Sequence, residues 1–135
     1  MADPGLKGQI AAMMDKAARS LEASKLLLDG RNDEFSSSRS YYSAFYAIQA
    51  LLLTRNLVYS KHAGVISGFN EHFIRSNIFP RDFSKHISRL FRERHIGDYD
   101  FERIITKNDA HEDHRIASDI VKAIREYLIH EGFMS

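Results

Sequence analysis

The stretch RSYYSAFYAIQALLL, Arg39 to Leu53, decides the fold of this 135-residue chain. Tyr41, Phe45, Ile48 and Leu52 recur in steps of four, three and four. That spacing is the period of an α-helix and puts the four on one apolar face. Ser36, Ser40, Ala44 and Ala47 form a second face of small side chains, where another helix can approach closely. The helix is expected over roughly 33–56, opening on Asn32-Asp33. Its tyrosines add a polar demand. A buried phenol needs a hydrogen-bond partner, and Arg39 and Ser40 stand about one turn before Tyr42 and Tyr46, so a polar seam or a site runs beside the core.

Helical spacing continues on both sides. Ile10, Met13, Ala17, Leu21, Ser24 and Leu28 predict a helix over roughly 7–29 with Gly30 at its C-terminal cap. Val65, Phe69, Phe73 and Ser76 predict a third over roughly 62–76. Gly64 and Gly68 fall inside it, which signals either close backbone packing or a weak helix. Pro80 suits the first turn of a fourth helix, whose apolar stripe of Phe83, Ile87, Leu90 and Phe91 lasts until Gly97 interrupts it. After the irregular DYDFERII, Thr106 and Asp109 resemble a capping box, and Ile116, Ile120, Ile124 and Leu128 line a last helix stopping near Gly132. No stretch alternates with strand period for long. The expected fold is all-α, an antiparallel up-and-down four-helix bundle with an additional short helix. It forms one domain over 7–132 after a disordered start at 1–6.

Composition narrows the function. Nineteen Lys and Arg against 18 Asp and Glu leave a net charge of +1, which argues against a dedicated nucleic-acid coat. With no cysteine, disulfides, thiolate zinc sites and a cysteine nucleophile are excluded. The first residues lack a secretory pattern, and no run approaches the roughly 20 apolar residues of a membrane span, so a cytoplasmic protein without a membrane partner is expected.

Three features could carry chemistry. Arg81, Lys85, Arg89 and Arg92 form a basic stripe, read as a solvated face or a docking surface for phosphates or an acidic partner. Arg94 instead lies one turn beyond Leu90 and Phe91 on the apolar side, where it must be paired; Asp98 is the nearest carboxylate if the helix continues through Gly97. His111 and His114 share a helix face, but no third ligand is fixed, so no metal and no cofactor are expected. No phosphate-binding glycine loop and no nucleophile elbow is present.

SRSYYSAFYAIQALLL, KHAGVISGFNEHFIRSNIF and LFRERHIGDYD, together with DKAARSLEASKLLLDGR in the first helix, resemble the HEPN domain family of prokaryotes, in its branch of small stand-alone proteins. The resemblance covers nearly the whole chain. It implies a helical bundle that often dimerises, with functional residues in the cleft between subunits. Many such domains are encoded beside a minimal nucleotidyltransferase, the two acting as a toxin–antitoxin pair. Active members are metal-independent RNases whose motif is an arginine, four to six intervening residues and a histidine. There the arginine holds the scissile phosphate while the histidine moves a proton as the ribose 2′-hydroxyl attacks.

By spacing alone the chain holds four such pairs: Arg55 with His62, Arg81 with His86, Arg89 with His95, and Arg125 with His130. By position, however, the motif falls on RHIGDY, where Arg94 matches the arginine and Tyr99 stands in place of the histidine. A tyrosine with pKa near 10 is a poor proton shuttle at neutral pH. The expected function is therefore a binding or regulatory module, a homodimer working with a nucleotidyltransferase, with RNA or a nucleotide as ligand. Two alternatives stand beside it: a metal-independent endoribonuclease using Arg94 with His62 or His95, and a nucleotide-binding helical scaffold. In related pairs the partner transfers AMP to a tyrosine near this motif, which makes Tyr99 a candidate target. Arg39, Tyr42 and Tyr46 are expected to face Arg94, Asp98 and His62 across the bundle, their hydroxyls satisfying the charged groups.

Overall fold

A computed structural model describes residues 3–135. Its elements are α1 (Pro4–Asp29), α2 (Asp33–Leu53), α3 (His62–Phe69), which runs on into a π-helical turn at Asn70–Ile74, α4 (Asp82–Tyr99) and α5 (Lys107–His130). The fold is all-helical: α1, α2, α4 and α5 make the antiparallel bundle and α3 is the additional short helix. Among the described residues no helix is long and apolar enough to cross a membrane.

The start of α1 corrects an expectation. Residues 4–6, expected to be disordered, are helical, because Pro4 stands at the first helical position and the Asp3 carboxylate accepts the Leu6 N–H at 3.2 Å. Residues 1 and 2 of that expected disordered start lie outside the described residues.

Helix α2 packs against α1, α4 and α5, so it is buried almost all round rather than on one stripe. Ser36, Ser40, Ala44 and Ala47 are fully buried. The α1–α2 seam is stitched by hydroxyls: Ser24 Oγ lies 2.6 Å from Ser40 Oγ, Ser36 Oγ donates to the Ser24 carbonyl at 2.8 Å, and Ser20 Oγ donates to the Arg39 carbonyl at 2.9 Å. Small side chains bring the helices close, and each buried hydroxyl then finds its partner across the seam. Ile10, Met14, Ile48, Leu51, Ile87, Leu90, Ile116, Ile120 and Ile124 fill the core.

Three glycines mark close approaches. A Cβ at Gly68 would stand 2.7 Å from the Tyr59 ring, and one at Gly64 3.2 Å from it. Close packing therefore explains both, against a side chain rather than a backbone. At Gly97 a Cβ would stand 2.8 Å from the Glu34 carbonyl oxygen. Gly97 therefore does not end α4; it lets α4 continue to Tyr99 while crossing the first turn of α2. On α5 both arms of the Thr106–Asp109 capping box are formed. Gly132, at φ +81°, turns the chain just beyond the helix.

Candidate functional site

Helix α4 places Arg94 one turn beyond Leu90 and Phe91, so its side chain enters the bundle, where α2 presents Tyr41 and Tyr42 and the first turn of α3 presents His62. The guanidinium carbon lies 5.1 Å from the Tyr41 ring centroid, 5.2 Å from Phe91, 5.8 Å from Tyr42 and 6.0 Å from Tyr99. Such contacts between a desolvated cation and a ring are worth up to about 2 kcal/mol each. Rings do not replace an anion, though. Arg94 is only 9% exposed, the Asp98 carboxylate is 3.9 Å from Nη1, and the buried Nε has no hydrogen-bond partner. A buried guanidinium with a spare donor and one long ion pair keeps positive charge that its surroundings only partly compensate.

Tyr41 is fully buried and its hydroxyl lies 2.7 Å from Nδ1 of His62. Burial pushes its pKa far above the ordinary phenol value, with Arg94 pulling the other way, so the group stays a neutral phenol. The His62 ring stacks on Phe45 at 4.2 Å and is held by the phenol. Partial burial and the nearby Arg94 charge lower its pKa, keeping the imidazole neutral at pH 7. The bond through Nδ1 leaves Nε2 as the ring nitrogen free to act outward.

The expected residues separate into an inner and an outer set. Arg94, Asp98, His62, Tyr42 and Tyr99 come together. Arg39 and Tyr46 join only through Tyr42: the Arg39 guanidinium lies 4.7 Å from the Tyr42 ring, and the Tyr46 ring 5.9 Å from it. Neither faces Arg94 directly, because on α2 it is Tyr41, one residue ahead of Tyr42, that turns toward α3 and α4. His95 is exposed, its ring 5.2 Å from Tyr99, on the flank of the site. Sequence reasoning placed Tyr41 on the apolar stripe and missed its part. Its signal was a tyrosine where phenylalanine would fill the core equally well.

The basic stripe also divides. Arg81, Lys85 and Arg92 are exposed, but Arg89 turns inward: its Nε donates to Asp113 at 2.8 Å, with Glu93 at 3.5 Å and Asp109 at 3.7 Å. Asp113 is fully buried and also accepts from Ser37 Oγ at 2.8 Å. Burial raises its pKa, and the bonds from Arg89 and Ser37 oppose that rise. Of the histidine pair on α5, His114 is engaged by Ser24 Oγ at 3.1 Å while His111 is exposed. Among the described residues no three His, Asp or Glu side chains are grouped to hold a metal ion.

Beside the Arg94 cluster a cavity of about 530 Å³ opens between the start of α2 and the segment after α4. Four large apolar side chains stand around it exposed: Phe35 at 53%, Tyr99 at 63%, Ile104 at 83% and Phe101 at 96%.

The sequence pattern described as HEPN domain matches residues 10–127. The protein named "Putative toxin MJ0142" of Methanocaldococcus jannaschii is 34% identical over 93% of this chain and 76% of its own length. "Putative toxin MJ0605" of the same organism is 30% identical over 91% of this chain and 94% of its own. Among solved structures, the crystal structure of TT1696 from Thermus thermophilus superposes with a TM-score of 0.76 over 87% of this chain and 97% of its own, at 16% identity, a likeness of fold.

Proposed function

The chain belongs to the HEPN domain family, and from that premise we propose that it is the phosphate-binding member of a toxin–antitoxin-type pair, taking RNA or a nucleotide at Arg94. The observation that carries this reading is the buried, ring-clamped Arg94 guanidinium, whose Nε has no partner and whose nearest carboxylate is 3.9 Å away. Two similar proteins that carry toxin names support the pair. The partner proposed is a nucleotidyltransferase. Tyr99, 63% exposed on the rim and 6.0 Å from Arg94, is the side chain open to modification with AMP. A second copy of the chain, seated on the Phe35–Phe101–Ile104 patch, would bring two Arg94 clusters toward a shared cleft.

A second reading, a metal-independent endoribonuclease, rests on the 2.7 Å bond between His62 and Tyr41 beside Arg94. With Nδ1 donating its proton toward the phenol oxygen, neutral Nε2 accepts the proton of a ribose 2′-hydroxyl as that oxygen attacks phosphorus; the bond from phosphorus to the 5′-oxygen breaks, a 2′,3′-cyclic phosphate is left, and the proton passes to the departing 5′-oxygen. Arg94 then meets the charge that develops on the phosphoryl oxygens. His62 replaces the histidine whose place Tyr99 has taken.

One experiment separates the readings: the purified protein, its Arg94→Ala variant and its His62→Asn variant are each mixed with labelled single-stranded RNA in excess chelator. Binding lost only in Arg94→Ala, with RNA intact throughout, supports the binding module. Cleavage by the wild type that both variants lose makes the enzyme reading primary. Equal retention of RNA by the wild type and Arg94→Ala removes Arg94 from either account.

A further inference from the structure

Away from the Arg94 cluster, α1 and α5 run side by side and leave between them a cleft of about 420 Å³, within the roughly 300–1,000 Å³ range of small-molecule sites. Its lining comes from one face of each helix. Leu21 of α1 and Val121 of α5 give it an apolar floor. Lys25, Lys122 and Arg125 stand along it, with Glu22 as the opposing carboxylate. Lys25 is paired with Asp29 at 2.7 Å, but neither Lys122 nor Arg125 forms an ion pair among the described residues. The cleft therefore presents uncompensated positive charge over an apolar base.

His114 lies in the same lining and is unusually well fixed for a half-exposed histidine. Its Nδ1 is 3.1 Å from Ser24 Oγ, and Ser24 is fully buried and itself bonded to Ser40 Oγ at 2.6 Å. One ring nitrogen is thus committed to the bundle interior, which leaves Nε2 for the cleft. No phenylalanine or tyrosine lines the cleft, so it lacks the stacking platform on which single-stranded nucleic acid is held.

We propose that the α1–α5 cleft is a second ligand site, for a small organic anion whose apolar body lies on Leu21 and Val121 and whose phosphate or carboxylate head meets Lys122, Arg125 and His114. The site shares no residue with the Arg94 cluster and stands whether or not that cluster binds RNA.

Octyl phosphate, kept below its micelle concentration, is the probe. It is titrated into the full-length protein by calorimetry and by ¹⁵N spectra of the histidine side chains, with inorganic phosphate and octyl glucoside supplying head and tail alone. The expected result is saturable binding that moves the His114 ring signals, with any phosphate bound at the Arg94 cluster reading separately at His62. Each half-probe should bind at least tenfold more weakly. Lys122→Glu with Arg125→Glu should weaken the octyl phosphate response at His114 at least tenfold, and the Gln pair should weaken it in the same direction, while Arg94→Ala leaves the His114 response unchanged. The charged rim is wrong if the double variants, retaining full helix content, bind as the wild type does. Octyl glucoside binding equally well removes the anion requirement, inorganic phosphate binding equally well removes the apolar body, and a stationary His114 signal places the ligand elsewhere.

Discussion

Replacing Gly97 by alanine tests how closely α4 crosses α2. Inside an ordinary helix this change stabilises by about 0.5–1 kcal/mol, because alanine costs less backbone entropy on folding. At Gly97 the new methyl would sit 2.8 Å from the Glu34 carbonyl oxygen, where ordinary contact begins at 3.4 Å. That oxygen belongs to the backbone of α2 and cannot rotate away, so α4 must retreat, and overpacking of this kind costs about 1–3 kcal/mol. The net expectation is a loss of up to about 2 kcal/mol. Gly8 is the control inside the same protein: it lies in α1, and a Cβ there meets nothing within 4 Å, so Gly8→Ala should show the whole gain. The two variants should then differ by about 2 kcal/mol, roughly 6 °C or more in melting temperature for a domain of this size. Thermal and urea unfolding followed by circular dichroism measure that gap. Arg94, Asp98 and Tyr99 ride on the same stretch of α4, so Gly97→Ala should also weaken RNA binding, which fluorescence anisotropy reads. Equal melting temperatures for the two alanine variants would refute the close crossing.

Arg89→Met should cost about 3 kcal/mol in urea unfolding, because it strands the fully buried Asp113 carboxylate; adding Asp113→Leu should recover most of the loss, and additive losses would show the pair is not coupled. Tyr41→Phe should cost about 1 kcal/mol for the lost bond to His62, and should reduce any RNA cleavage more than RNA binding. His62 and His114 both have pKa values lowered by burial, so the unfolded chain takes up protons that the folded one refuses. Their contribution is complete above the unfolded value near 6.5 and is lost as pH falls through the lower folded values. The stability–pH curve between about 7 and 5 should flatten in His114→Asn, and an unchanged slope would exclude that residue. Phe101→Ser with Ile104→Ser should leave monomers by light scattering where the wild type gives dimers; a wild type that is itself monomeric removes the shared cleft.

The helical spacing of apolar residues settled the all-helical bundle from the sequence, since that period is a local property each segment carries by itself. The Thr106–Asp109 cap was legible for the same reason, its two residues lying three apart. The burial of Arg94 was legible too: a charge at an apolar position of a helix is carried into the bundle with the rest of that face. Asp98, one turn on from Arg94, was legible as its carboxylate as well, but partners on other helices were not. Asp113 is 24 residues from Arg89, His62 is 21 from Tyr41 and His114 is 90 from Ser24, and separations of that kind are set by how helices cross. Helix α2 concealed most, because a helix buried almost all round has no polar face to orient it, and neighbouring Tyr41 and Tyr42 were assigned to opposite parts of the problem. Gly97 read as an interruption until the Glu34 carbonyl lay against it. Local periodicity therefore determined which segments are helices and which of their residues are out of place, and tertiary packing alone decided which side chains of other helices those residues meet.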